Sequence, residues 1–125
     1  VNNHPDSPEF SFAKKMVNTP KVVFTRTLEK STWNNTTLAT GNLADEIADL
    51  KKRTGKDLIV YGGAGFVSSL IEGGHIDEFN FFINPILINK GMRIFDLLRK
   101  RQSLSLMDST AYASGVAVVR YKLNK

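Results

Sequence analysis

Apolar and polar positions alternate along the chain in short stretches, punctuated by glycine and proline. Residues 1–10 (Val-Asn-Asn-His-Pro-Asp-Ser-Pro-Glu-Phe) carry two prolines among several turn formers and predict a loop. Phe12–Val17 predicts one short helix, stopped ahead of Pro20 because a residue before proline is pushed out of the helical region. Lys21–Thr25 is β-branched and aromatic, the composition of a strand. Thr36–Thr40 is a second strand, ended by Gly41-Asn42. Leu43–Thr54 has the clearest helical period, with Leu43, Ile47, Leu50 and Ala44, Ala48 on one stripe. Asn42 suits its N-cap, and Asp45 stands at the third helical position, as in a capping box. Lys51, Lys52 and Arg53 close the helix, and Gly55 is placed to take a left-handed conformation just past its end.

The period then changes. Asp57–Tyr61 holds consecutive aliphatics without alternation, the signature of a strand covered on both faces. Gly62-Gly63-Ala64-Gly65 follows, then a short helix with Val67, Leu70 and Ile71 on one side, stopped by Gly73-Gly74. Glu78–Ile88 predicts a long strand with Phe79, Phe81 and Ile83 on one face, and Pro85 implies a bulge or an edge within it. Gly91–Arg101 is mixed and fits no single element. Ser103–Met107 and Val116–Leu123 predict a closing strand pair around a turn at Asp108–Gly115. Helices between strands require right-handed crossovers and a largely parallel sheet, and the closing pair adds an antiparallel edge. The expected architecture is one α/β domain over residues 1–125, built around a mixed sheet.

Composition narrows the class. The chain has 125 residues, 42% hydrophobic and 23% charged, a globular profile. It has no cysteine, so it has neither a disulfide framework nor a thiolate metal site, and His4 and His75 are too few for a histidine-rich centre, so no metal is expected. Runs such as Ile86-Leu87-Ile88 are too short to span a bilayer, and no basic-then-apolar signal opens the chain. A cytoplasmic protein with no membrane partner is expected. The net charge of +5 raises nucleic acid as a partner, but the cations are scattered, and a solvated surface explains them better. No nucleic-acid partner is expected, while a phosphate-bearing small ligand would be drawn by the same charge.

The glycine cluster carries the strongest chemical signal. Leu58-Ile59-Val60-Tyr61-Gly62-Gly63-Ala64-Gly65 is strand, glycine turn, helix start. Phosphate oxygens need backbone amides at close range, glycine lets them approach, and the helix N-terminus adds partial positive charge. One glycine would serve a turn without a ligand; three in four positions favour a bound phosphate. The spacing departs from the dinucleotide fingerprint, because Ser68 stands where a third glycine would be and no acid lies about twenty residues on. No Gly-Lys-Ser or Gly-Lys-Thr is present, so a P-loop is excluded. Thr25-Arg26-Thr27 ends a strand, where ligands of open α/β sheets gather, and an arginine between two hydroxyls can hold a phosphate. Taken alone, those three residues read better as a surface arginine at a strand end. His75-Ile76-Asp77-Glu78 reads as a solvated turn, and Trp33, Phe79, Phe81 and Phe82 as core. No residue qualifies as a catalytic acid or nucleophile.

Three segments together resemble one family. They are Pro20 to Leu28, Asp57 to Gly65, and Ile76-Asp77-Glu78-Phe79 running to Asn84-Pro85-Ile86-Leu87; the Ala113 to Tyr121 stretch fits as well. The order and combination resemble the dihydrofolate reductase-like family that includes the C-terminal reductase domain of bacterial riboflavin biosynthesis. The resemblance implies a three-layer sandwich around a mixed sheet, NADPH as hydride donor, and a homodimer. It implies that Thr25 and Arg26 lie near the adenosine 2′-phosphate and that Gly62, Gly63, Ala64, Gly65 and Phe66 wrap the pyrophosphate. The substrate it implies is a pteridine or a ribosylamino-pyrimidine phosphate. The family opens with a strand, a substrate-facing loop and a helix that have no counterpart in this sequence, so the expected chain is a partial reductase. The alternative is a catalytically silent module that binds a nucleotide or dimerises.

Overall fold

The computed structural model describes residues 6–125. They form a mixed α/β fold with one parallel ladder, one antiparallel three-stranded sheet and three helices. The chain divides into two compact units, one ending at Arg53 and one beginning at Thr54.

In the first unit the expected loop over 1–10 is cut short. Residues 1–5, His4 among them, lie outside the described residues, and helix α1 already begins at Phe10 (Phe10–Asn18). Its half-buried positions, Phe10, Ala13 and Met16, recur every three residues and mark the inward face. The Lys21 ammonium donates to the carbonyls of Met16, Val17 and Thr19 and so closes the C-terminus of α1 with charge as well as hydrogen bonds. Strands β1 (Lys21–Phe24) and β2 (Thr36–Ala39) pair in parallel, with Val22 opposite Thr37 and Phe24 opposite Ala39. Asn35 turns into β2 with a left-handed φ of 55°, which asparagine tolerates better than most residues.

Helix α2 (Leu43–Lys52) starts where the sequence indicates: the Asn42 side chain accepts from the Ala44 amide at 2.9 Å. The reciprocal half of the cap differs from expectation. Glu46, not Asp45, reaches back, and its Oε1 accepts from the Gly41 amide at 3.2 Å. The inward stripe is narrower too: Ile47 is buried and Leu43 and Leu50 half-buried, whereas Ala44 and Ala48 face solvent. The helix ends at Arg53 in an extended conformation, so Gly55 does not supply a left-handed cap.

In the second unit, 57–63 runs outside any ladder into α3 (Ala64–Glu72). Asp57–Tyr61 is therefore not a covered strand in this structure; Ile59 is 76% exposed and Leu58 and Tyr61 are exposed as well. Helix α3 carries the core, with Ser68, Leu70 and Ile71 buried. It ends in a complete Schellman motif. Gly74, at φ 66°, donates to Ile71 O, and the His75 amide donates to Leu70 O, an arrangement that requires the left-handed residue.

The sheet order is β3 (Glu78–Ile83), β5 (Ala117–Leu123), β4 (Leu104–Ala111), all antiparallel. Strand β3 stops at Ile83, earlier than expected, since Asn84-Pro85 turns the chain and the Ile86 amide closes on Asn84 O. The ladder irregularity falls in β4 between Leu106 and Asp108 rather than at Pro85. The closing turn is shorter than expected, from Tyr112 to Val116, with Gly115 at φ 86°. Phe79 is buried, and Phe81 stacks on it at 5.6 Å and meets Phe95 and Tyr121 at 6.1 Å each. Trp33 and Phe82, by contrast, are about two-thirds exposed and contribute little core.

Candidate functional site: a glycine turn at a helix N-terminus

The turn at 62–65 is built by the passage from extended chain to α3. Gly63 is the N-cap, at φ −66° and ψ 159°, and no side chain caps the helix. Its φ lies where any residue can go, so backbone conformation does not explain the glycine. Packing does not explain it either: a Cβ on Gly63 would meet nothing within 4 Å, and the same holds for Gly65. Gly62 is different, because a Cβ there would stand 2.8 Å from the Phe66 ring. Gly62 thus lets Phe66 lie over the turn, while Gly63 and Gly65 leave open space in front of the first helical turn. Amides in that turn have no partner within the helix, and the helix dipole favours negative charge before them. Such an arrangement has room for a phosphate group.

Gly62, Gly63, Ala64, Gly65 and Phe66 are thus brought together in one turn of the second unit. Thr25 and Arg26 lie at the carboxyl end of β1 in the first unit. Thr25 Oγ1 accepts from the amides of Thr27, at 3.2 Å, and Leu28, at 3.0 Å, so its oxygen shapes the turn that follows the strand. That turn presents Arg26 to solvent, and Arg26 makes no hydrogen bond or ion pair among the described residues.

The polar residues around 75–78 have structural partners. The His75 backbone amide completes the end of α3, the Asp77 side chain pairs with Lys125, and Glu78 pairs with Arg120 at 3.5 Å. A separate hollow of about 420 Å³ in the first unit is lined by Met16, Val17, Lys21, Trp33 and Asn34. It contains none of the residues expected to hold the cofactor.

Ser68 was legible only as a departure from a glycine pattern. In the structure it is buried and its hydroxyl donates to Ile94 O at 2.7 Å. Glu72 accepts from the Arg99 amide at 2.8 Å, and Gln102 donates to Ile71 O at 2.7 Å. These three bonds tie the 94–102 segment, which the sequence leaves unplaced, to the helix that carries the glycine turn. The available signal was a serine in an otherwise apolar helix face.

Comparison with known proteins agrees with this architecture. The model of the RibD C-terminal domain family matches residues 2–118. The uncharacterized protein YyaP of Bacillus subtilis (strain 168) is 32% identical over 123 residues, 98% of this chain and 64% of that protein. A crystal structure of a protein named for riboflavin biosynthesis, from Shewanella sp. PV-4, is similar with a TM-score of 0.76 at 22% identity, over 86% of this chain and 62% of that one. A pyrimidine reductase-like protein from Corynebacterium diphtheriae is similar with a TM-score of 0.56 at 18% identity, over 97% of this chain and 54% of that one. The chain spans less than two thirds of the length of each of these three proteins. The fold is that of dihydrofolate reductase-like proteins. On the family match and the 32% identity together, this chain belongs to the RibD C-terminal domain family.

Proposed function

We propose that the chain is the cofactor-binding part of an NADPH-dependent reductase acting on a ribosylamino-pyrimidine phosphate, with a pteridine as the other candidate acceptor. The observation that carries this reading is the pair Gly63 and Gly65, glycines that neither backbone nor packing requires and that leave room for a phosphate at a helix start. When bound, NADPH supplies a hydride. Backbone amides at the glycine turn would hold its pyrophosphate, with Phe66 beside them, and Arg26, in the first unit, is expected from the family resemblance to offer a charged hydrogen bond to the 2′-phosphate. The similarity to a pyrimidine reductase-like protein supports the substrate class.

A second reading, a nucleotide-binding or dimerising module without turnover, draws support from the acid–base candidates. Asp77 and Glu78 are engaged in ion pairs with Lys125 and Arg120. Proton delivery to an acceptor needs a group within hydrogen-bond reach of it. We therefore expect the acceptor side of the reductase to lie in the part of such proteins that this chain does not span. The test is NADPH oxidation by this chain with dihydrofolate and with the ribosylamino-pyrimidine phosphate. Binding of NADPH without oxidation is the expected result, and steady turnover would place the acceptor groups within these 125 residues.

A further inference from the structure

A second segment of the same unit is fastened along helix α3. Ser68, only 4% exposed, donates its hydroxyl to Ile94 O at 2.7 Å. Further along the helix, Glu72 accepts from the Arg99 amide at 2.8 Å, and Gln102 donates to Ile71 O. From Ile94 to Arg99 the segment therefore runs beside α3 in the same sense as the helix. Phe95 meets the Phe81 ring edge-on at 6.1 Å, which holds the start of the segment against the sheet. The residue before Ile94 stands on the side of the Ser68 bond that leads back to the glycine turn.

That residue is Arg93. It is exposed, and its side chain makes no hydrogen bond or ion pair among the described residues. Other cations of the unit have electrostatic reasons for their places. Arg120 pairs with Glu78 and Lys125 with Asp77, and Arg99 stands by the last residue of α3, where positive charge suits the helix dipole. Arg93 lies toward the opposite end, where the dipole disfavours a cation unless an anion stands between them. The turn itself, Gly62-Gly63-Ala64-Gly65-Phe66, has no charged side chain. Ser68 is one helical turn past Gly65, a rise of about 5 Å, which an arginine side chain spans. A pyrophosphate diester is a dianion, and backbone amides offset it with partial charge alone. A guanidinium adds a full charge and a planar fork that matches phosphate oxygens.

We propose that Arg93 is a further phosphate-binding residue of this chain, reaching over the first turn of α3 to the pyrophosphate of the dinucleotide from the point that the Ser68–Ile94 bond fixes. The assignment rests on the reading of the glycine turn as a pyrophosphate seat and adds a charged residue from outside that turn. Arg93 and Arg26 then recognise different groups. Pyrophosphate is common to NADPH and NADH, so Arg93 contributes affinity for both, whereas Arg26 contributes the preference between them.

The test is fluorescence titration of the full chain and of Arg93→Ala, Arg93→Lys and Gly63→Val with NADPH and with NADH, followed by displacement of NADPH with inorganic pyrophosphate. Position 93 is exposed, so Arg93→Ala should melt as the original chain does. It should bind both nucleotides roughly tenfold or more weakly, and by the same factor. Its affinity for inorganic pyrophosphate, read from the displacement, should fall likewise. Arg93→Lys, which keeps the charge but not the fork, should recover part of the loss. Undiminished binding of both nucleotides by Arg93→Ala, with binding lost in Gly63→Val, would overturn the assignment of Arg93 and leave the glycine turn standing. A loss confined to NADPH would overturn it as well, by moving Arg93 to the 2′-phosphate. Failure of the original chain to bind either nucleotide would overturn both readings together.

Discussion

Arg26 and Gly63 are the two residues on which the proposed cofactor recognition is tested, because neither substitution should disturb the fold. Arg26 is exposed and unpaired among the described residues, so Arg26→Ala should leave stability unchanged. A charged hydrogen bond is worth about 1.5–3 kcal/mol, so the substitution should weaken NADPH binding roughly tenfold or more. NADH, which lacks the 2′-phosphate, should bind the variant as it binds the original chain. Fluorescence titration with both nucleotides checks this, and equal weakening of the two would assign Arg26 a structural role. At this scale the sequence was informative about residue type and uninformative about partners. The glycine cluster stood out because one glycine suffices for a plain turn and this one has three in four positions. That Thr25 would spend its hydroxyl oxygen on the amides of Thr27 and Leu28 could not be read, because it depends on how the chain turns after β1.

Elements were legible where the signal was local. Helix α2 has its N-cap, its acidic first turn and its basic last turn written between Asn42 and Lys52, and the structure follows them. Asn42→Ala should cost about 1 kcal/mol, because the Ala44 amide loses its acceptor. In thermal denaturation that is a fall of about 4 °C, and Asn42→Asp, which keeps the acceptor, should restore most of it. A melting temperature unchanged in Asn42→Ala would show that the cap is not stabilising. Where a feature depended on distant chain, the sequence misled. Asp45 stands at the capping-box position, but the longer side chain of Glu46, one residue on, is the one that reaches back to Gly41. Leu58-Ile59-Val60 carries the composition of a central strand, but a strand exists only with a neighbour, and no ladder includes it here. The 94–102 segment has no period of its own because it is held through Ser68, Glu72 and Gln102 rather than by regular backbone pairing.

At the scale of the whole molecule, the family and the fold follow from the order of the segments, and the exposed apolar surface follows from what the segments lack. Ile86, Leu87, Ile88 and Met92 are each at least 70% exposed within seven residues. Apolar surface of that density seeks cover, so the chain should self-associate in solution, in line with the homodimer expected from its family resemblance. Light scattering on dilute protein should report a dimer or a larger species, and a monomer of 13.9 kDa at all concentrations would contradict the expectation. Among the described residues no helix is long and apolar enough to cross a membrane. The central claim, that the glycine turn seats the phosphates of NADPH, is tested most directly by titrating NADPH fluorescence against the original chain and Gly63→Val. The Cβ at position 63 points into open space and the backbone there suits a β-branched residue, so the variant should fold and melt as the original does. The account predicts that it nevertheless loses NADPH, because the side chain occupies the space the pyrophosphate needs; equal affinity in the two proteins would contradict it.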